Sequence, residues 1–159
     1  MTMQPALAQR LKFLARVVRK ERQYLVVTDE RLFRTNFTSA RVAEMENDPE
    51  LADRVEAFVG RFGRLQDTLG DKLLPALLSA MGEKTSSVID NLDRAERLGL
   101  IKSADEWLTI RDLRNQMIHE YIEDAELLSS ALQTGHAFVT GLSTAADNII
   151  GEIERRGWV

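Results

Sequence analysis

The strongest constraint on the fold is a run near the C-terminus in which apolar or small residues recur at alternating steps of four and three. The run contains Leu128, Leu132, Gly135, Val139, Leu142, Ala146, Ile149 and Ile153. This spacing puts all of its members on one stripe of an α-helix. A helix of roughly 30 residues rises ~45 Å at ~1.5 Å per residue, which is long enough to form the spine of a helical bundle. The sequence therefore predicts an all-α fold.

A second long helix is predicted to begin at Asp48. The Asp48 side chain can cap the first turn, Pro49 needs no N–H partner there, and Glu50 places an acid near the positive end of the helix dipole. Apolar residues then follow with the same steps of four and three: Leu51, Val55, Phe58, Phe62, Leu65 and Leu69. Pro75 is expected to kink this helix or to break it near Leu74.

The N-terminal part of the chain predicts a basic helix that starts near Pro5. We interpret the β-branched run 24–27 within it as buried helix rather than a short strand. Residues 1–41 contain nine Lys/Arg and three acids, a balance of +6 in a chain whose total is −4. Such a helix could lie along a phosphate backbone, or it could be a solvated face that complements the acidic remainder. Residues 34–47 are predicted to be irregular.

Two shorter helices are predicted in the middle of the chain. One runs from about Ser86 to Leu98 and ends at Gly99, which can take the left-handed conformation of a helix stop. The next is opened by a capping box from Ser103 to Glu106 and ends around Tyr121. Together these signals predict an up-and-down bundle of four to five helices.

The composition bounds the class of protein. A chain of 159 residues with 44% hydrophobic and 29% charged residues predicts one folded domain, 1–159, with a core bundle over 48–155 and the basic helix and irregular segment over 1–45. There is no cysteine, so disulfides and thiol catalysis are excluded, which agrees with a cytoplasmic location. The N-terminus lacks the apolar block of a secretory signal, and no apolar stretch approaches the ~20 residues that span a membrane.

Several kinds of site are excluded by the absence of their motifs. The chain has no phosphate-binding glycine loop and no Glu-x-x-His pair of the kind that holds two irons in helical bundles. Its only two histidines, His119 and His136, are too few for an ordinary zinc site without cysteine. We therefore predict no metal and no cofactor, and we interpret His136 as a half-buried packing residue rather than a ligand.

The segment 111–121 differs from the other helices in its polar face. With ~100° of turn per residue, one arc of roughly 160° collects two guanidinium groups, a carboxamide, an imidazole and a phenol. Its members are Tyr121, Arg114, Ile118, Arg111, Asn115 and His119. These are the groups that RNA cleavage without a metal requires, because an imidazole titrates near neutral pH and an arginine fork can stabilise a phosphate transition state. The other reading is an ordinary polar helix face.

This helix closely resembles the motif helix of HEPN domains in the string Trp107-Leu-Thr-Ile-Arg-Asp-Leu-Arg114-Asn115-Gln-Met-Ile-His119-Glu-Tyr121. In that family an arginine, usually followed by asparagine, precedes a histidine by four to six residues, and His-x-Tyr often closes the motif. Two upstream stretches, 69–78 and 91–100, are also similar to the family. The likeness covers roughly residues 48–155.

The resemblance implies a helical bundle that forms a homodimer through its motif helices. It implies a metal-independent endoribonuclease that acts on RNA, with Arg114 and His119 as the catalytic pair and with Asn115 and Arg111 in support. Many such proteins are toxins paired with a nucleotidyltransferase antitoxin, and Tyr121 stands where the antitoxin attaches AMP. Other members of the family are non-catalytic interaction domains that bind a nucleotidyltransferase, and this is the alternative function.

Overall fold

The computed structural model describes residues 3–119 and 124–158, and all regular secondary structure within these two ranges is helical. The elements are α1 (Pro5–Leu32), α2 (Ser39–Ala43), a 3-10 turn (Glu44–Asn47), α3 (Pro49–Asp67), a π-helical segment (Thr68–Leu73), α4 (Leu74–Ala80), α5 (Val88–Arg97), α6 (Ala104–His119) and α7 (Ala125–Arg155). The prediction of an all-α fold is confirmed. Across the described ranges, no helix combines the length and the hydropathy needed to cross a bilayer.

Four helices pack in a closed ring around the core. Helix α1 lies against α3 and α7, and α6 lies against the same two helices. The shorter α5 packs on α4 and α6. Because α3, the π-helical segment and α4 follow one another without a break, the described chain has five helices of two turns or more and the single-turn α2.

The N-terminal helix is part of the core. Leu11, Val18 and Leu25 of α1 are fully buried in the same apolar cluster as residues of α3, α6 and α7. The core therefore extends beyond the range 48–155 in which the sequence places it. The run 24–27 is helical as predicted, although Tyr24 and Val27 are exposed rather than buried.

The two long apolar stripes are confirmed. Every residue of the stripe on α7 is buried, and α7 is 31 residues long. Every residue of the stripe on α3 is buried as well. Asp48 caps α3 as expected, since its Oδ1 accepts a hydrogen bond from Leu51 N–H at 3.1 Å.

The prediction of an irregular segment over 34–47 is wrong in part, because α2 and the 3-10 turn lie within it. Thr38 caps α2 by accepting a hydrogen bond from Arg41 N–H at 3.2 Å. The Arg41 guanidinium donates to the carbonyl oxygens of Leu32 (2.8 Å) and Thr35 (2.9 Å), which ties α2 to the end of α1. Phe37 is buried beneath this connection. Contacts of this kind leave no periodic pattern in the sequence.

The sequence predicts a kink or a break near Leu74, and the chain changes helix type there without leaving the helical conformation. The preceding residues, 68–73, form a π-helical segment, and Leu74 N–H bonds to Leu69 O, five residues back, instead of four. The wider turn carries the chain into α4 with Pro75 in its first turn, where the missing N–H costs little.

The start of α6 is fixed by two side chains. Ser103 Oγ accepts a hydrogen bond from Glu106 N–H at 3.1 Å, as the capping box predicts. Glu96 of α5 accepts a second hydrogen bond, from Ala104 N–H at 2.8 Å. Just before this connection α5 ends as predicted, with Gly99 at φ 76° and Leu100 N–H bonded to Ala95 O. These bonds set the direction in which α6 leaves α5.

Candidate functional site

The inner side of α6 is anchored by large apolar side chains. Trp107, Ile110, Leu113 and Met117 are all buried, as the sequence predicts. Trp107 lies directly on Gly70 of the π-helical segment. Met117 packs beside Gly135 of α7, where the absent side chain leaves room for the sulfur. These contacts fix the rotation of α6 about its axis and thereby determine which residues face outward.

The outward face carries the motif residues. Arg111 and Arg114 are partly buried, whereas Asn115 and His119 are exposed. Ile118 lies among them with 43% of its surface exposed. Tyr121, the predicted site of regulation, lies outside the described residues.

Arg114 is held against α3. Its Nη2 donates to Asp67 Oδ2 at 3.0 Å, and its Nη1 donates to Asn115 Oδ1 at 3.1 Å. The side chain lies across Gly63, where an added Cβ would stand 3.4 Å from the Arg114 Cγ and Nε. The Nε is buried without a hydrogen-bond partner. Gly63 and Asp67 therefore give the guanidinium a defined position at the α3–α6 seam.

A groove opens beside this guanidinium between α6 and the end of α3. It has a volume of about 410 Å³ and is lined by Gln66, Asp67, Asp71, Lys72, Arg111, Arg114 and Asn115. Three of these side chains are cationic and two are acidic. Within the described ranges neither Arg111 nor Lys72 forms an ion pair. The groove can therefore take an anion such as a phosphate without first breaking a contact of those two cations.

His119 is not among the side chains that line this groove. Five residues of α-helix turn the side chain by ~140° relative to Arg114 and carry it ~7.5 Å along the axis. No hydrogen bond joins the two side chains, and His119 is exposed at the end of α6. The structure thus brings Arg111, Arg114 and Asn115 together in the groove, and His119 follows Asn115 by one turn of α6 outside the groove lining.

Sequence reasoning missed the α3 side of the site. Asp67 and Gly63 are about 47 and 51 positions from Arg114, so no spacing rule connects them to it. Lys72 belongs to a stretch that resembles the family, and this resemblance was the only signal that could have pointed to it. Only the packing of α6 on α3 reveals these partners.

The basic N-terminal helix is partly neutralised by α7. Arg19 pairs with Glu154 at 2.5 Å, and Arg22 pairs with Asp147, to which its Nη2 donates a hydrogen bond at 2.9 Å. For these two arginines, the interpretation as a face that complements the acidic remainder is confirmed. Lys20, among other cations of α1, remains exposed.

His136 packs as predicted and also has a partner that the sequence did not indicate. Its ring is stacked on Phe33, with a centroid distance of 4.2 Å and an interplanar angle of 15°. Its Nδ1 lies 2.7 Å from Asp29 Oδ1. Burial raises the pKa of the Asp29 carboxyl, and the hydrogen bond from His136 opposes that shift.

Within the described ranges, no group of three or more His, Asp and Glu side chains is arranged to hold a metal ion. Comparison with known proteins gives no match: no family model fits the chain, and no curated protein and no solved structure is significantly similar to it.

Proposed function

We propose that this protein is a metal-independent endoribonuclease of the HEPN type that acts as a homodimer. The observation that supports the proposal most directly is the position of Arg114. Its guanidinium is fixed by Asp67 and Asn115 at the edge of a groove that also contains Arg111 and Lys72. A phosphate in this groove would meet several cationic donors at once.

In the proposed reaction the ribose 2′-oxygen attacks the adjacent phosphorus, and the bond from phosphorus to the 5′-oxygen breaks. The 2′-hydroxyl loses its proton and the leaving 5′-oxygen gains one, so the products are a 2′,3′-cyclic phosphate and a 5′-hydroxyl. His119 acts as the general acid or base in this exchange, and Arg114 stabilises the charge that builds on the phosphate oxygens. Asn115 and Arg111 orient Arg114 and the phosphate.

The proposed homodimer brings together two catalytic side chains that a single protomer does not present to the same atom. Arg114 and His119 point in directions ~140° apart on their helix, so one protomer does not present them to the same atom. Ile118 lies between them and is 43% exposed, which favours burial of this face against a second copy. Two motif helices packed through this face would bring an Arg114 and a His119 from different copies to one cleft.

We further propose that the protein is the toxin of a toxin–antitoxin pair whose antitoxin is a nucleotidyltransferase. Transfer of AMP to Tyr121 would place a bulky anion beside the catalytic pair and would exclude RNA by charge and by volume. Expression should arrest growth, and Arg114→Ala or His119→Asn should relieve the arrest. Equal toxicity of these variants and the parent would contradict the proposal.

The biochemical test is cleavage of purified RNA by the full chain in the presence of EDTA. We expect Arg114→Ala and His119→Asn each to lower the rate by about 100-fold or more, because each removes a group that acts in the transition state. The matched control is His136→Asn, which changes the only other histidine and keeps an N–H for Asp29. Circular dichroism and thermal unfolding check that all variants fold.

Two outcomes of this assay would contradict the proposal. If His119→Asn cut RNA as fast as the parent, the assignment of His119 would be wrong. If the folded, dimeric parent cut no RNA at all, the alternative function would be favoured, a non-catalytic interaction domain that binds a nucleotidyltransferase. Binding to such a partner that is unaffected by His119→Asn would then support that alternative.

A further inference from the structure

The exposed face of α3 changes its charge along its length. Glu50, Asp53 and Glu56 lie on the solvent side of the first half of the helix. Gly60 and Arg64 continue the same stripe at steps of four, and the second half carries no acid on it before Asp67. The acidic half repels a polyanion, whereas the second half borders the groove that holds Arg114. The charge pattern therefore favours an anionic ligand at the end of α3 nearest the motif.

Arg64 provides an unpaired cation on this second half. Its guanidinium lies along the helix over Gly60, about 3.4 Å from where a Cβ of Gly60 would stand. Among the described residues no carboxylate forms an ion pair with Arg64. The nearby acid is Glu21 of α1, which accepts a hydrogen bond from Thr68 Oγ1 at 3.1 Å. Burial raises the pKa of the Glu21 carboxyl, and the charge of Arg64 is among the influences that lower it.

Tyr24 of α1 provides an exposed aromatic ring beside Arg61 of α3. It is 51% exposed on α1, and the Arg61 guanidinium lies 5.6 Å from the ring centroid. Arg61 also donates to Thr28 Oγ1 and, at 3.5 Å, to the carbonyl oxygen of Tyr24. These bonds make Arg61 a brace between α3 and α1 that holds the ring in place.

The three side chains form a path that ends at the motif. Tyr24 contacts Arg61, Arg64 follows one turn later on α3, and Asp67 follows Arg64 by three residues and binds Arg114. We call Tyr24, Arg61 and Arg64 the α1–α3 strip. An exposed ring beside a cation that has no ion-pair partner is the combination that binds unpaired bases and their backbone phosphates.

We propose that the α1–α3 strip is the binding track along which single-stranded RNA enters the groove at Arg114. Tyr24 stacks on an unpaired base, Arg64 contacts a backbone phosphate, and Arg61 positions Tyr24. A duplex is excluded as the preferred ligand because its bases are already stacked on one another and offer no free face to Tyr24. The proposal rests on the ribonuclease function for the identity of the ligand, but it concerns a surface outside the catalytic motif.

The test measures RNA binding by the full chain carrying His119→Asn, which separates binding from cutting. The probes are a fluorescent oligouridylate of about 12 nucleotides and an RNA duplex of the same length. We expect Tyr24→Ala to weaken binding of the single strand about fivefold or more, and Tyr24→Phe to retain it because the ring face is kept. Arg64→Gln should lower affinity and reduce the slope of log affinity against log salt by about 0.7.

The matched control is Arg97→Gln, which makes the same change of charge on exposed α5, outside the strip. This variant should leave both the affinity and the salt slope near those of the parent. The track is wrong if Tyr24→Ala and Arg64→Gln bind the single strand as Arg97→Gln does, or if no RNA binds. Equal weakening of duplex binding by Tyr24→Ala would overturn the preference for a single strand.

The outcomes also separate this inference from the proposed function. If the parent cuts RNA and the strip variants bind normally, the ribonuclease stands and the track fails. If the parent cuts nothing but the strip variants lose binding, the track stands and the ribonuclease fails.

Discussion

At the scale of single residues, the pair formed by Asp29 and His136 links the end of α1 to α7. The Asp29 side chain is only 12% exposed, and burial is the largest influence on its pKa, which is raised above the ordinary value. The hydrogen bond and the charge of His136 lower the pKa, and the charge of neighbouring Glu30 raises it. The raised pKa means that the folded protein binds the Asp29 proton more tightly than the unfolded chain does.

This shift predicts a pH dependence of stability with a definite sign. The stabilisation linked to the Asp29 proton is fully present below the unfolded value of 3.8 and is lost as pH rises through the higher pKa of the folded state. Asp29→Asn removes this titration. The free energy of unfolding of Asp29→Asn, relative to the parent, should therefore increase as pH rises above 3.8 and then level off.

Urea unfolding of both proteins across a pH series measures this difference. The difference in free energy of unfolding between the two proteins also includes the effect of the changed contact with His136. The variation of this difference with pH is therefore the informative quantity. A difference that is constant, or that decreases with pH, would contradict the assignment of a raised pKa to Asp29.

The sequence predicts the site residues on α6 but not those on α3. Spacing along α6 indicated that Arg111, Arg114, Asn115 and His119 face outward, and their partial or full exposure agrees. Asp67 was not predictable, because a charged residue near a helix end has many uses and its partner is 47 positions away. The spacing of five residues between Arg114 and His119 also predicts that their side chains diverge by ~140° on α6.

At the scale of elements, the contact between α6 and the π-helical segment depends on Gly70. An added Cβ there would stand 2.7 Å from Trp107 Nε1 and 3.0 Å from its Cζ2. Trp107 is 3% exposed, so its buried ring would have to shift within the core to admit the added Cβ. We expect Gly70→Ala to lower the free energy of unfolding by about 1–3 kcal/mol through overpacking.

Gly60→Ala is the matched control for this prediction. At Gly60 an added Cβ meets only the flexible Arg64 side chain, at 3.4 Å. An alanine inside a helix is favoured over glycine by roughly 0.5–1 kcal/mol, so this variant should be as stable as the parent or more stable. Urea unfolding compares the two variants. Equal effects of Gly70→Ala and Gly60→Ala would show that Trp107 does not constrain the segment.

The elements that could be predicted are those whose apolar residues repeat over many turns. The stripes on α3 and α7 extend for five turns or more, so chance patterns are improbable and both helices were predicted, the first with its N-cap Asp48. Helix α2 has only five residues and depends on Arg41 bonds to α1. The π-helical segment contains Gly70, on which Trp107 packs, and it precedes Pro75. Neither set of contacts follows a regular spacing in the sequence, so neither α2 nor the π-helical segment was predicted.

At the scale of the whole molecule, the proposed dimer makes a prediction about Ile118. If the motif faces of two copies pack together, Ile118 is buried at their centre, and Ile118→Lys places a charge there without a partner. We expect this variant to be a folded monomer with little or no RNA cleavage. The measurement is light scattering after size exclusion, together with the cleavage assay.

Ile89→Lys is the control for that experiment. Ile89 on α5 is 56% exposed, so the same substitution is made at an equally accessible apolar residue away from the motif. The control should keep the oligomeric state and the cleavage rate of the parent. A dimeric Ile118→Lys protein would contradict the proposed interface.

The chemical identity of the RNA ends that the parent protein produces in EDTA is the most direct test of the proposed mechanism. Attack by the 2′-oxygen, with His119 and Arg114 as the acting groups, predicts 2′,3′-cyclic phosphate and 5′-hydroxyl ends. It also predicts that an RNA lacking the 2′-hydroxyl at the cleaved position stays intact. Uncut RNA from a folded dimer, or products with 5′-phosphate ends, would contradict the proposed chemistry of the α6 motif.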